Sequence, residues 1–454
     1  MTLPTETPTE TPAESLARLL PSGSRLQPQV YASCVRDLVA ATVTRTPYSL
    51  PLGEAAGAQL AEPLYALAPQ PSFANSQMDG YALTSAAARA AQRVFRVGQD
   101  VPAGATGEGL PVSDTLVYPV MTGAPLPDGY TTVIPVERTS PVAGETDAAG
   151  FVAEGGQVEI PPAAPGAFVR AVGEDVAAGQ LLAEGGSRLT PALIGALAAQ
   201  GIASVPVYRP LRVLVVTGGD EVAGAGRGPA TGQIFDANGP VLAALLHQDG
   251  CTTDHLPIGD SVEDFCTALQ GALAHRVPDL IVTSGGISHG KYEVVRLGLA
   301  ALATAPAGGG RVRASWFGHV AQQPGGPQGL ALLEAPDGRV LPVLCLPGNP
   351  VSTLISYHLL LRPALAHLAA EDEPDAYGQL VLDAPIAAPA GKTQYRRARL
   401  TRQARADGSV LTLLTPDAAT GSHLLLQAAR ADALVELEPG RTYRGGEPVR
   451  YIAM

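Results

Sequence analysis

An apolar run, Asp279 to Thr283, opens into Ser284-Gly285-Gly286-Ile287-Ser288-His289-Gly290 and then into a helical pattern from about Glu293. Glycines at a strand-to-helix junction let a ligand approach the backbone, and the amides at a helix start attract anions. A second junction, "LCLPGNPVS", places Pro347, Gly348, Asn349, Pro350 and Ser352 at another helix start. Two such starts beyond neighbouring strands suit an extended phosphorylated ligand. Acidic residues accompany them: Glu221 after one strand, Asp260 after the next and Glu293 after the third. Carboxylates beside phosphate point to Mg²⁺, which favours oxygen donors and offsets their repulsion. Each acid also has a plain reading: Asp260 begins a helix, where the dipole favours it, and Glu221 suits a surface loop.

The elements that must position these residues follow from periodicity. "RVLVVTG", "CTTDHLPIG", "DLIVTSGG" and "VLPVLCLPG" read as strands. They alternate with helices in "NGPVLAALLHQDG", capped by Asn238, in "DSVEDFCTALQGALAHR", and in "NPVSTLISYHLLLRPALAHL", capped by Asn349 with Pro350 at its first position. The pattern predicts a doubly wound parallel sheet over 210–370, with ligands beyond the carboxyl ends of its strands. Upstream, an opening helix near 27–50 precedes a Pro-, Gly- and Thr-rich stretch of short strands. A helix capped by Thr190 and stopped at Gly201 closes that region, 27–209. Downstream, an acidic linker leads to a small β-domain over 376–454. The first 26 residues repeat Thr, Pro and Glu and read as a disordered tail without a signal peptide. The expected fold class is therefore α/β and β multidomain, a central doubly wound α/β domain between a β-rich N-terminal region and a small C-terminal β-domain.

Composition narrows the function. The chain of 454 residues is 46% hydrophobic, enough for several cores, and carries 30 Lys plus Arg against 42 Asp plus Glu, a net charge of -12. With no basic run interleaved with aromatics, a nucleic-acid partner is not expected. Cys34, Cys251, Cys266 and Cys345 show no metal-binding spacing and read as reduced thiols of a cytoplasmic protein. No apolar run is long enough for a membrane helix.

Seven stretches together, "SQMDGYAL", "MTGAPLPDG", "VRAVGEDVAAGQLL", "GQIFDANGPVLAALLHQDGC", "SGGISHG", "LPGNPVS" and "GSHLL", resemble the molybdopterin molybdenumtransferases, the MoeA and gephyrin E-domain family, in the family's order from Gln27 to Met454. The resemblance implies four subdomains, a homodimer, and a molybdopterin-binding role for the central domain. It also implies Mg²⁺-dependent insertion of molybdate into adenylated molybdopterin with release of AMP. Molybdopterin adenylyltransferase and molybdoenzymes are the partner proteins it suggests. Carried over residue by residue, it marks Asp79 in "MDGYA", Thr122, Arg170, Asp175, Glu221, Asp260, Ser288, Pro347, Pro350 and Ser422. It further implies that the "MDGYA" loop lines the cleft in the dimer. Arg170 either binds an anion or pairs with Asp175.

Departures cluster at the chemistry. Glu293 stands where the family commonly has Asp. The family's lysine-bearing segment reads "HVAQQPGGP", so His319, Gln323 and Gly326 replace its lysines. The family's "TGDE" is lengthened to "TGGDE", leaving open whether Asp220 or Glu221 fills its acidic position. His289 and Lys291 either restore positive charge or are ordinary loop residues. The expected function is the molybdenum transfer. A degenerate homologue that carries molybdopterin without catalysis is the alternative, and pterin adenylation is disfavoured by the flanking β-rich regions.

Overall fold

The computed structural model describes residues 16, 25–224, 230–287, 293–305, 309–371 and 374–454. It forms two compact units, Met1–Thr46 with Arg209–Met454, and Pro47–Tyr208.

In the first unit six strands form one sheet: β1 (Arg212–Gly218), β2 (Thr252–Ile258), β3 (Leu280–Ser284), β4 (Arg311–His319), β5 (Pro327–Glu334) and β6 (Val340–Leu346). Their order is β2-β1-β3-β6-β5-β4. The first four run parallel, as their alternation with helices predicts. β5 and β4 are antiparallel additions, so the sheet is mixed rather than wholly parallel. Alternate residues serve opposite faces. Val213, Val215, Leu280 and Val282 pack with Tyr31, Val35 and Leu38 of the opening helix Pro28–Thr42. Leu214, Val216, Ile281 and Val343 pack with Phe265, Leu269 and Leu299 on the other face. Helices on both faces make the domain doubly wound. β1 is followed by β2 on one side and has β3 on the other, so chain order reverses between β1 and β3. Such a switch opens a crevice above the strand ends.

Several local expectations change. The helix Asn238–Gln248 has Ala237 at its cap position, and Asp236 Oδ1 instead accepts from the amides of Asn238 and Gly239 at 2.9 and 3.0 Å. Asp260 does not cap the next helix. Ser261 does, accepting from Asp264 N at 3.2 Å. The long helix from Pro350 is interrupted: α-helix Pro350–Ser356, a π turn Tyr357–Leu361, then α-helix Arg362–Leu368. Pro363, lacking an N–H for the regular ladder, accounts for the widened turn. Asn349 does occupy the cap position before Pro350. Leu26, expected within the tail, bridges to Val320. Its N–H donates to His319 O and its carbonyl accepts from Ala321 N. Residues 1–15 and 17–24 of the expected tail lie outside the described residues.

The C-terminal β-domain is a small barrel. Strands Ala376–Leu380, Thr393–Ala404, Val410–Pro416, Ala433–Leu437 and Pro448–Ala453 pair in a closed ring. Gln322–Gln323, just beyond β4, joins the barrel by parallel pairing with Thr393–Gln394. This cross-domain ladder brings the barrel to the strand ends of the central sheet.

The unit Pro47–Tyr208 carries a six-stranded sheet that includes Gly80–Thr84, Leu116–Val120 and Tyr130–Pro135. Its helix Pro191–Ala199 has Thr190 as cap, with Oγ1 accepting from Leu193 N at 3.2 Å. Gly201 follows the helix at φ 75°. The four cysteines are free thiols, three of them buried.

Candidate active site

The loops after β1, β2, β3 and β6 meet in one cleft of about 1130 Å³. Its floor is built by close backbone approach. A Cβ on Gly348 would come within 3.1 Å of Gly285 Cα, so the two loops touch through glycine. Ser284 Oγ donates to Pro347 O at 3.0 Å, and Thr353 Oγ1 donates to the same carbonyl at 2.7 Å. Asn238 Nδ2 donates to Gly348 O at 2.7 Å, drawing the start of its helix onto the same loop.

The extra glycine of "TGGDE" has a steric explanation. Gly218 sits at φ 149°, where a Cβ would lie 1.9 Å from Ile258 O, and Gly219 follows at φ 137°. Beyond this pair the two acids separate. Asp220 Oδ1 accepts from Asp260 N at 3.2 Å, while Glu221 lines the cleft. The acid facing the cleft is thus Glu221, and Asp220 ties two loops together.

Glu221, Asp260, Glu293, Gly285, Gly286, Pro347, Gly348, Asn349, Pro350, Ser352, His319, Gln323 and Ser422, all marked in the sequence, line this cleft. Ser288, His289, Gly290 and Lys291 lie outside the described residues. The helix start at Pro350 is less open than expected, because Val351 N donates to Ser422 O at 3.1 Å and Ser352 is buried.

The structure adds Asp236, Lys392 and His423 to the wall. Asp236 Oδ2 accepts from Thr217 Oγ1 at 2.6 Å, and Thr217 Oγ1 lies 2.7 Å from His255 Nε2. Asp236 falls in "GQIFDANG" and His423 in "GSHLL", both visible motifs. Lys392 gave no local sign. It arrives because the barrel strand beginning at Thr393 pairs with Gln322–Gln323. Lys392 and Lys291 are the two lysines of the whole chain.

Four carboxylates therefore face the cleft, Glu221, Asp236, Asp260 and Glu293, against Lys392 and two histidines. Among the described residues no three His, Cys, Asp or Glu side chains converge as a ready-made metal cage. Mg²⁺ keeps several waters and takes one or two carboxylates with substrate phosphates, so spaced oxygen donors of this kind fit it.

The second unit holds its own polar constellation. Asp79 Oδ1 accepts from Thr122 N at 2.6 Å and Thr122 Oγ1 at 2.8 Å. Gly80 begins a strand so close to its neighbour that a Cβ would lie 2.1 Å from Ile134 O. The loop is laced to Arg170 by the pairing of Asn75–Ser76 with Val169–Arg170. Arg170 Nη1 donates to Asn75 Oδ1 at 3.3 Å rather than pairing with Asp175 among the described residues. Asp175 is exposed, with its N–H donating to Gln70 O at 3.0 Å.

Comparison with known proteins accords with this architecture. Residues 18–201 match the MoeA N-terminal region (domain I and II), 214–367 a probable molybdopterin binding domain, and 379–454 the MoeA C-terminal region (domain IV). Molybdopterin molybdenumtransferase 2 of Mycobacterium tuberculosis is 38% identical over 404 residues, 86% of this chain and 91% of that protein. The molybdopterin molybdenumtransferase of Haemophilus influenzae is 32% identical over 332 residues, 73% and 74% of the two chains. A MoeA protein of Pyrococcus horikoshii shares the fold at TM-score 0.71 and 21% identity, over 95% of this chain and 100% of that one. A cleft at the switch point of a MoeA-type central domain, closed by a MoeA-type barrel, and relatives of this extent together show that the chain belongs to the molybdopterin molybdenumtransferase family, enzymes of molybdenum cofactor biosynthesis.

Proposed function

We propose that the protein transfers molybdenum from molybdate to adenylated molybdopterin, releasing AMP, in a Mg²⁺-dependent reaction. The observation that carries this reading is the single cleft in which glycine-ended strands, carboxylates and a barrel loop meet. The substrate's phosphates lie along Gly285–Gly286 and the Pro347–Ser352 loop, where close backbone approach is possible. One or two of Glu221, Asp260 and Glu293 would hold Mg²⁺ beside them through carboxylate oxygens, with waters completing its shell. Bound there, the ion neutralises phosphate charge. The oxyanion sits at the rim formed by His319, Gln323, Lys392 and Ser422, with Lys392 supplying fixed positive charge where the family's lysines are replaced.

Asp79, Thr122, Arg170 and Asp175 belong to the same function in this proposal, Asp79 acting through the hydroxyl and amide of Thr122. The protein is proposed to work as a cytoplasmic homodimer, receiving its substrate from an adenylyltransferase and handing product to molybdoenzymes. Light scattering of the purified protein tests the dimer.

The decisive experiment follows AMP release from adenylated molybdopterin. Release that requires both molybdate and Mg²⁺ supports the reading. Tight pterin binding with no release under any condition replaces it with the carrier alternative.

A further inference from the structure

Phe235 is half exposed, at 51%, and its neighbour Ile234 is at 62%, yet both line the cleft rather than the outer surface. Among the described residues of that cleft Phe235 is the sole carbocyclic aromatic side chain. Its backbone is anchored on both sides. Ile234 N donates to Glu221 O at 2.7 Å, Asp236 N donates to Ala223 O at 3.1 Å, and Val222–Ala223 pairs in parallel with Ile234–Phe235. The next residue, Asp236, is locked by Thr217 and by two helix amides. An apolar ring is thus presented from an anchored backbone, beside carboxylates and glycines that cannot offer a flat apolar face.

Exposed apolar surface in a polar cleft loses hydration cost when a ligand covers it, and an aromatic ring favours another flat ring at stacking distance. We infer that Phe235 stacks on the planar nitrogen heterocycle of the substrate, fixing the ring end while the phosphates lie toward Gly285–Gly286. This deepens the catalytic reading above and rests on it. The substrate carries two such heterocycles, a pterin and an adenine, which share the required chemistry.

The test uses the full-length protein with Phe235→Ala, Phe235→Tyr and Phe235→Trp. Truncation to Ala should raise KM for adenylated molybdopterin in AMP release by about tenfold, with kcat changed by less than about threefold, and Tyr should restore KM. The new tryptophan reports as the difference from wild type titrated alongside, whose one tryptophan, Trp316, is buried in the core. Quenching of Phe235→Trp emission by 6-hydroxymethylpterin assigns the pterin ring, and quenching by AMP assigns the adenine; either supports stacking. Native KM in Phe235→Ala, or no quenching by either probe or by adenylated molybdopterin, overturns it. A wild-type protein that neither binds adenylated molybdopterin nor releases AMP removes the catalytic reading as well. An active wild type with an unaffected Phe235→Ala removes the stacking alone.

Discussion

Asp220 Oδ1 accepts the N–H of Asp260 at 3.2 Å, so one acid of the "GGDE" turn positions another acid two loops away. A side chain that holds backbone and one that faces the cleft should fail differently. Asp220→Ala should cost about 1 kcal/mol of stability, the worth of one exposed hydrogen bond. Glu221→Gln should leave thermal unfolding unchanged while lowering AMP release by about tenfold or more. Equal loss of activity without loss of stability in both variants would contradict this division.

Magnesium dependence gives a second expectation. With four carboxylates and one lysine at the described wall, a phosphorylated substrate meets net repulsion unless a cation intervenes. Asp260→Asn and Glu293→Gln should each raise the Mg²⁺ concentration for half-maximal AMP release by about tenfold. An unchanged titration in both would place the ion elsewhere.

Lys392 and the segment His319–Gln323 define the oxyanion prediction. Lys392→Ala should raise the molybdate concentration for half-maximal release by about tenfold, since charge-assisted hydrogen bonds are worth about twice neutral ones. The double change His319→Lys, Gln323→Lys should lower that concentration in the native background. Molybdate titrations of the three proteins, read by AMP release, decide between this rim and another location.

A pH effect on stability follows from His358. It is buried at 3% exposure in the π turn, and Nδ1 has no partner among the described residues. Burial, with the nearby Arg362 charge, pulls its pKa down to about 4. The unfolded chain takes up this proton near pH 6.5 and the folded chain only near 4. The stability difference is therefore fully present above about 6.5 and is lost as pH falls toward 4, by about 3 kcal/mol in all. His358→Leu should flatten that part of the profile in denaturant titrations between pH 7 and 4. Identical slopes for both proteins would show that other groups carry it.

How much of this could be read in advance depends on distance along the chain. Strands β1, β3 and β6 announce themselves through apolar runs ending in Gly, Ser or Pro; β2, largely polar and at the sheet edge, is placed by the helices on either side of it. Thirteen of the marked site residues line one cleft; most sit immediately beyond a strand or in a quoted motif, while Glu293 stands at the N-cap of the helix that follows β3. The antiparallel pair β4 and β5 passed unassigned. "RVRASWFGH" mixes charge with apolar residues because β4 is an edge strand with one solvated side. Lys392 was invisible for another reason, since its place depends on Thr393 finding Gln322, a pairing that no local pattern encodes. The π turn likewise arises from Pro363 acting on a helix whose apolar periodicity looks continuous.

The contact between Gly285 and Gly348 has a consequence for how such a cleft diversifies. With a Cβ at Gly348 brought to 3.1 Å of the facing backbone, a side chain there requires the Gly285 loop to give by a few tenths of an ångström. Changes on the floor therefore carry a structural penalty before any chemical benefit. Side chains at 319, 323 and 392 meet no such obstacle at the rim. Drift in oxyanion preference is expected to be written at those three positions, over a floor that stays glycine. That division suits directed selection, since libraries confined to the rim can retune the anion without first having to repair the fold.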